Sequence, residues 1–570
     1  MMLFAAALLA FGFQNTGLEE PWALGQTAAS TAERHATEIA MSVLADGGTA
    51  VDAAVAAHFA LAVTYPNAGN LGGGGFLIYR KSNGEAFFLD FREVAPANAT
   101  QDMYGLAQAK ASTQGWLAVG VPGAVPGMAA AHARWGNRPW SSLVTPAAEL
   151  AARGFRVGER LHKRFARYEK ALAQDPLTGA LFAPAGKAIP AGFLLKQTQL
   201  ARTLKSVAAD ATAMRRGAII EALVENSRKG GGILTLEDFE NYQPVLRPLH
   251  TISWHGLEIL APSAPSSGGV FLTQCLHTLE RFPLALWGWA DPRTIQIIGE
   301  ATAAAFGIRN RWLGDPAGFD FDSADLIDLE AIRSRAKRLS PKRYTPPQKQ
   351  ISITADESTE TTHFSIVDGY GGAVSLTTTL NGNFGAKVMA PGGFLMNNEM
   401  DDFAAQPGAP NQFGLVQGRY NAIRPGRRPL SSMSPVIVVR DGQVDAVLGS
   451  PGGPRILSSV LQVLLNRYVF GMSPFAAVAA PRMHRQDLPP ELRYEEGRLR
   501  GGVASKLRQV GQPLKPLRAI GYISAVFRDY SGELQAIADP RFDGLGMVSA
   551  TGEPKPRAQP DGSKLKSNLD

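Results

Sequence analysis

The stretch that decides the reading is Thr361-Thr362-His363-Phe364-Ser365-Ile366-Val367, then Asp368-Gly369-Tyr370-Gly371-Gly372, then Ala373-Val374-Ser375-Leu376-Thr377-Thr378-Thr379. Two strand-like runs flank a five-residue glycine-rich turn, the pattern of an antiparallel hairpin. With Val367 paired to Ala373 across the loop, the register sets Thr361 opposite Thr379, with Cβ atoms about 5 Å apart. Two threonine hydroxyls then become neighbours at the open end of the hairpin.

A threonine hydroxyl is a poor nucleophile without a base beside it. One solution is to make the threonine the first residue of a chain, so that its own α-amine, with a pKa of about 8, accepts the proton. Taken by spacing alone, Thr361-Thr362 reads equally as two β-formers opening a strand. Other nucleophiles are poorly supported: there is no G-x-S-x-G elbow, Cys275 lies in an apolar helical context, and Ser563 with Lys566 matches S-x-x-K only inside a polar tail.

Outward from the hairpin, residues 341–360 are polar, contain prolines and lack hydrophobic periodicity, which predicts an exposed or mobile segment leading into Thr361. Downstream, strand-like runs occur at 393–396, 435–439, 444–448 and 522–528, with a helical pattern at 456–468. Near the start, a loop is expected at 26–30 and a helix over 32–44 that stops at Gly47 and Gly48. Thr49 with Asp52 forms a capping box opening a second helix to about 62. Residues 76–80 and 86–92 read as a hairpin around Asn83-Gly84, placing Arg92 at a strand end. Residues 140–340 are mainly helical in pattern, punctuated by Pro and Gly at 261–269. Helices early and strands late predict an α+β layered architecture.

With 570 residues, 45% of them hydrophobic and 19% charged, the chain can bury a large core and is neither disordered nor fibrous. Its 60 glycines cluster as tight loops rather than linkers. The net charge of +7 is spread, with small clusters at 424–428 and 555–566 and no basic stripe interleaved with aromatics, so no nucleic-acid partner is expected. A single cysteine excludes an internal disulfide. No segment is apolar for long enough to span a membrane. The short run at 3–13, inside a candidate signal segment at 1–16, fits the core of a secretory signal and predicts a periplasmic or secreted protein, although no Lys or Arg precedes it and no clean cleavage site follows. The nine histidines show no paired ligand spacing, so neither metal nor cofactor is expected.

Read in order, Gly69-Asn70-Leu71-Gly72-Gly73-Gly74-Gly75-Phe76, Leu89-Asp90-Phe91-Arg92-Glu93, Thr361-Thr362-His363-Phe364-Ser365 and Thr379-Leu380-Asn381 form one set of motifs. Asn397-Asn398-Glu399-Met400-Asp401-Asp402-Phe403, Arg427-Arg428-Pro429-Leu430-Ser431-Ser432-Met433-Ser434-Pro435 and Gly449-Ser450-Pro451-Gly452-Gly453 complete it. Together they resemble the gamma-glutamyltransferase (glutathione hydrolase) family from about residue 26 to 545. The resemblance implies a four-layer αββα sandwich of the N-terminal nucleophile hydrolase type. It also implies a precursor that cuts itself between Glu360 and Thr361 into a large subunit, 17–360, and a small subunit, 361–570, which stay together as a heterodimer.

The matching positions then take family roles. Thr361 attacks the γ-amide carbonyl, Thr379 steadies it, and Gly452 and Gly453 form the oxyanion hole. Arg92, Ser431 and Ser432 hold the glutamyl α-carboxylate, while Asn381, Glu399 and Asp402 accept from its α-ammonium. Glutathione and other γ-glutamyl compounds are the implied donors, with water, amino acids or peptides as acceptors. A cephalosporin (glutaryl) acylase of the same fold and a glutamyl-binding protein without turnover are the alternatives; an acid at Asp402 argues against the first. Asp401 reads as a polar loop residue. Gly72 to Gly75 precede a strand and lack a following Lys-Ser/Thr, which predicts close backbone packing rather than a phosphate cradle. His363 is expected to pack beside the nucleophile. Residues 407–423 resemble the family's lid loop, but Phe413 stands where such lids often carry a tyrosine, keeping the hydrophobic cover without its hydroxyl.

Overall fold

Strands are built on both sides of Thr361. Before it lie β1 (Thr27–Thr31), β2 (Gly74–Arg80), β3 (Ala86–Asp90), β4 (Val245–Arg247), β5 (Leu249–Trp254) and β6 (Leu257–Pro262). After it come β7 (Thr362–Val367), β8 (Ala373–Thr379), β9 (Val436–Arg440), β10 (Gln443–Gly449), β11 (Ser524–Arg528), β12 (Leu534–Ala538), β13 (Leu545–Ala550) and β14 (Glu553–Pro556). They form an eight-stranded sheet in the order β14-β13-β1-β7-β8-β2-β3-β4 and a six-stranded sheet in the order β12-β11-β10-β9-β6-β5. A computed structural model describes residues 26–105, 110–317, 323–347, 361–404, 409–499, 501–550 and 553–556. The signal segment, Glu360 with most of the polar segment before Thr361, and most of the basic tail lie outside these described residues.

The decisive hairpin has the expected register: Ala373 pairs with Val367 and Thr378 with Thr362. Because strand side chains alternate between faces, Phe364 and Ile366 with Val374 and Leu376 enter one core, which includes helices α1 (Arg34–Ala45) and α2 (Ala50–Thr64). On β2, Leu77 and Tyr79 join that core, whereas Phe76 and Ile78 turn the other way. They meet the second sheet, whose core also takes in helices α3 (Gly268–Leu279), α4 (Pro292–Trp312) and α5 (Arg455–Tyr468). Helices, sheet, sheet, helices: this is the αββα sandwich.

The Thr49 and Asp52 capping box is present at the start of α2. Four expectations are corrected. Residues 26–30 are not a loop; β1 is a wholly buried strand between β13 and β7, its small Thr, Ala and Ser side chains fitting where both faces are covered. Residues 393–396 make only isolated bridges, Met396 with Gly72 and Leu395 with Met389, since Gly393 sits at φ +81° and turns the chain. The helical stretch 140–340 also hides β4, β5 and β6. Strand β3 ends at Asp90, two residues short of Arg92.

Candidate active site

Thr361 immediately precedes β7 and is 4% exposed. Its Oγ1 lies 3.3 Å from Oγ1 of Thr379, the last residue of β8, and that oxygen accepts the Asn381 N–H at 2.8 Å. The odd-numbered residues of β7 and β8 face the second sheet. There His363 bonds Thr377 Oγ1 through Nδ1 at 2.8 Å and Ser365 Oγ through Nε2 at 3.0 Å. Ser365 in turn donates to the Ser524 carbonyl of β11. Burial pushes His363 down to about 3, so it is a neutral strut beneath the nucleophile. Among the described residues no cluster of His, Cys, Asp or Glu could hold a metal ion.

The glycine run fixes where Thr379 sits. A Cβ on Gly73 would lie 2.0 Å from the Thr379 carbonyl oxygen, and one on Gly75 2.3 Å from that of Thr377. Any side chain there would push β8 away. Asn70 bridges the same corner, donating to Thr379 O at 3.0 Å while accepting from Gly73 N.

Gly452 and Gly453 lead into α5. Their φ values of +129° and +55° belong to the region that favours glycine, and among the described residues no protein acceptor takes either N–H. They lie just before the electropositive N-terminal end of a 14-residue helix, where negative charge is favoured. Gly453 lines the same cleft as Thr361, and a Cβ on it would come within 2.9 Å of the Phe413 ring. Gly452 is the preceding residue in the chain.

The other expected residues converge on this cleft: Arg92, Thr379, Asn381, Glu399, Asp402, Ser431 and Ser432 all line it. Arg92 is fully buried and already committed. Its Nη1 donates to Glu399 Oε1 at 2.5 Å, its Nη2 to Asp402 Oδ2 at 2.6 Å, and its Nε to the Pro429 carbonyl at 2.8 Å. The carboxylate clamp and the ammonium acceptors expected from the sequence are therefore one ion-paired cluster. A third acid, Glu93, has Oε2 3.8 Å from Arg92 Nη1. Burial drives Glu93 up to about 8 and also raises Glu399 and Asp402, because three carboxylates share one guanidinium away from water. Burial opposes the charge on Arg92, yet Glu399, Asp402 and Glu93 hold it protonated. Asn381, at φ +72°, turns the chain after β8 and donates its Nδ2 to the Asn398 carbonyl at 3.0 Å.

Two features escaped the sequence. Asp401 does more than solvate a loop: its Oδ1 accepts from Ser112 Oγ at 2.7 Å and its Oδ2 from the Gln412 N–H at 3.0 Å, tying down the segment that carries Phe413. Arg309, near the end of α4, lines the cleft at 2% exposure. Burial pulls it down to about 10, against the pull of Asp402 and Asp487, so it too is charged at neutral pH. In a sequence, an arginine in the last turn of a helix reads as favouring the helix dipole, and nothing about its spacing marks it as buried.

Residues 36–549 match the family profile for gamma-glutamyltranspeptidase. The chain is 38% identical over 538 residues to the glutathione hydrolase proenzyme of Escherichia coli (strain K12), covering 92% of this chain and 93% of that one. It is 40% identical over 533 residues to the glutathione hydrolase proenzyme of Pseudomonas aeruginosa, covering 91% and 94%. Among solved structures, a cephalosporin acylase from Bacillus halodurans superposes with a TM-score of 0.81 over 94% of this chain and 99% of that one, at 23% identity, a likeness of fold alone. The Helicobacter pylori gamma-glutamyltranspeptidase gives a TM-score of 0.53 at 35% identity over 55% of this chain and 91% of that one.

Proposed function

The chain belongs to the gamma-glutamyltranspeptidase family, and from that premise we propose that it is a self-processing γ-glutamyl hydrolase and transferase whose nucleophile is Thr361. The observation that carries this reading is the pairing of the Thr361 and Thr379 hydroxyls, 3.3 Å apart, in one cleft with the Arg92, Glu399 and Asp402 cluster.

Cleavage after Glu360 gives Thr361 a free α-amine. That amine takes the proton of Oγ1 as the oxygen attacks the γ-amide carbonyl, and Thr379 shares a hydrogen bond with the attacking oxygen. The carbonyl oxygen becomes an oxyanion facing the Gly452 and Gly453 amides; loss of one such donor costs about 3 to 4 kcal/mol. The leaving amine departs with the proton held on the α-amine, leaving an ester on Thr361. Water, or the amine of an amino acid or peptide, attacks that ester and gives up its proton to the α-amine, which returns it to Oγ1 as the ester bond breaks and glutamate or a new γ-glutamyl compound is released.

Recognition follows from charge. The glutamyl head is a zwitterion, and it can exchange the internal Arg92 pairs for its own: α-carboxylate to Arg92, Ser431 and Ser432, and α-ammonium to Asn381, Glu399 and Asp402. The site's charge balance is unchanged by that exchange. A glutaryl group has no ammonium to offer the two acids, which disfavours the acylase reading. The two pieces of the processed chain act as a heterodimer, and the segment at 1–16 supports a periplasmic or secreted location. No helix of the described residues is long and apolar enough to cross a membrane.

The test is release of p-nitroaniline from L-γ-glutamyl-p-nitroanilide. Wild-type protein is expected to turn it over and Thr361→Ala to be inactive. Turnover only of the glutaryl anilide would favour the acylase, and tight glutamate binding without turnover would favour a binding protein.

A further inference from the structure

The arginine that the ion-pair cluster does not absorb is Arg309. It is buried in the wall of the cleft, yet among the described residues no carboxylate lies within ion-pair distance of its guanidinium. It donates instead to neutral oxygens: Nη2 to Ser432 Oγ at 3.1 Å, Nε to Ser267 Oγ at 3.1 Å and Nη1 to Asn310 Oδ1 at 2.8 Å. Its hydrogen bonds go only to neutral oxygens, so the charge is balanced at longer range by Asp402 and Asp487 rather than by a direct ion pair, a costly arrangement for a buried cation.

The bonds also have a direction. A guanidinium can only donate, so Ser432 Oγ must accept from it, and the serine's own O–H is left to donate elsewhere. Ser267 has the same arrangement, accepting from Arg309 and donating its O–H to the Ser431 carbonyl at 2.8 Å. The Ser267 N–H reaches that same carbonyl at 2.9 Å. Arg309 thus holds the Ser431-Ser432 segment directly at Ser432 Oγ and through Ser267 at the Ser431 carbonyl, and turns the Ser432 hydroxyl hydrogen away from itself.

We infer that Arg309 is a positioning residue for the donor's α-carboxylate: through Ser432 it orients a hydroxyl donor toward that carboxylate, and its own charge adds a second cation behind the one on Arg92. This rests on the proposed function and sharpens it, assigning α-carboxylate recognition to two guanidinium groups in series rather than one.

The prediction concerns one group of the substrate, so the test removes that group. Arg309→Met and Arg309→Lys are made in the full chain and checked for processing at Thr361. They are then assayed with L-γ-glutamyl-p-nitroanilide and with 4-aminobutyryl-p-nitroanilide, which keeps the ammonium and lacks the α-carboxylate. Arg309→Met is expected to raise KM for the glutamyl donor by about 10-fold or more, as losing a charge-assisted contact does, while kcat changes little. For the 4-aminobutyryl donor the same variant should match wild type within about 3-fold, and Arg309→Lys should recover part of the glutamyl affinity.

Should Arg309→Met fail to process, Arg309→Lys and Ser432→Ala carry the test. Ser432→Ala should show the same donor selectivity, and adding Arg309→Lys to it should cost little more. Equal losses on both donors, or full additivity with Ser432→Ala, would overturn the inference. Its fate is separable from that of the functional reading. If wild-type protein turned over neither donor, the reading would fail, and equilibrium binding of L-glutamate against 4-aminobutyrate would still decide whether Arg309 senses the carboxylate.

Discussion

Removing Arg92 takes away more than a substrate contact, because the same guanidinium neutralises Glu399 and Asp402. Arg92→Ala leaves buried carboxylates unpaired, a change that typically costs about 3 to 5 kcal/mol of stability. We expect it to lower the melting temperature and abolish glutamyl binding together. Arg92→Lys is the cleaner probe. It keeps the charge and loses the planar fork, so the melting point should fall less while KM rises by about 10-fold or more. Gly453→Ala tests the other wall of the cleft. The added methyl meets Phe413 at a φ of +55°, so the amide must shift, and kcat is expected to fall about 10²-fold with KM little altered. At this scale the facing of Thr361 and Thr379 was readable from strand register, while their roles and the rest of the cleft came from the ordered motifs of the resemblance. Arg309 and the latch at Asp401 were not, because both depend on which helix or loop the tertiary fold brings against the cleft.

Among the elements, the lid segment carries the next expectation. Asp401 holds it through the Gln412 N–H, and Gly418 N donates to the Asn310 carbonyl at the end of α4 at 2.8 Å. With Phe413 lacking a hydroxyl, these contacts fasten the segment together with Asn421, whose Nδ2 donates to the Asp402 carbonyl and whose carbonyl accepts from the Ala404 N–H. Asp401→Ala leaves the Gln412 N–H without its acceptor, which should cost about 1 to 3 kcal/mol of local closure. Hydrogen exchange at Gln412 and Phe413 should quicken, and the ratio of hydrolysis to transfer should rise as water gains access. Elements were legible where the pattern was strong. The α2 capping box and the β7–β8 hairpin are written in residue types that have few other uses. Strand β1 was hidden because Thr-Ala-Ala-Ser-Thr has no apolar alternation. It becomes a strand only through pairing with β7 on one side and β13 on the other, where Thr27 meets Ser549 from the far end of the chain.

Over the whole molecule, strands from either side of Thr361 interleave in the larger sheet and meet side by side in the smaller one. In the larger one β1 lies between β13 and β7, and β8 pairs with β2; in the smaller one β9 pairs with β6. Two pieces parted at Thr361 therefore share both cores, and separating them would require unfolding. Stability should also register the buried histidines. His58, His363 and His484 are held down by burial to about 4, 3 and 3, below the ordinary 6.5, so the unfolded chain binds protons that the folded chain refuses. Their contribution is complete above pH 6.5 and is lost as pH falls towards 4. Asp368, Asp401 and Asp487, each raised to about 6 by burial, act oppositely, favouring the fold at low pH and losing that contribution as pH rises from about 4 to 6. His363→Asn removes one member of the first set, so its melting-temperature deficit relative to wild type should shrink between pH 7 and pH 4. The central claim is that Thr361 becomes a nucleophile by becoming a chain terminus. N-terminal sequencing and intact mass of the purified full-length protein test it most directly. Two pieces are expected, the second beginning at Thr361, with Thr361→Ala remaining one chain. A single uncut chain that still hydrolyses the γ-glutamyl anilide would contradict the account.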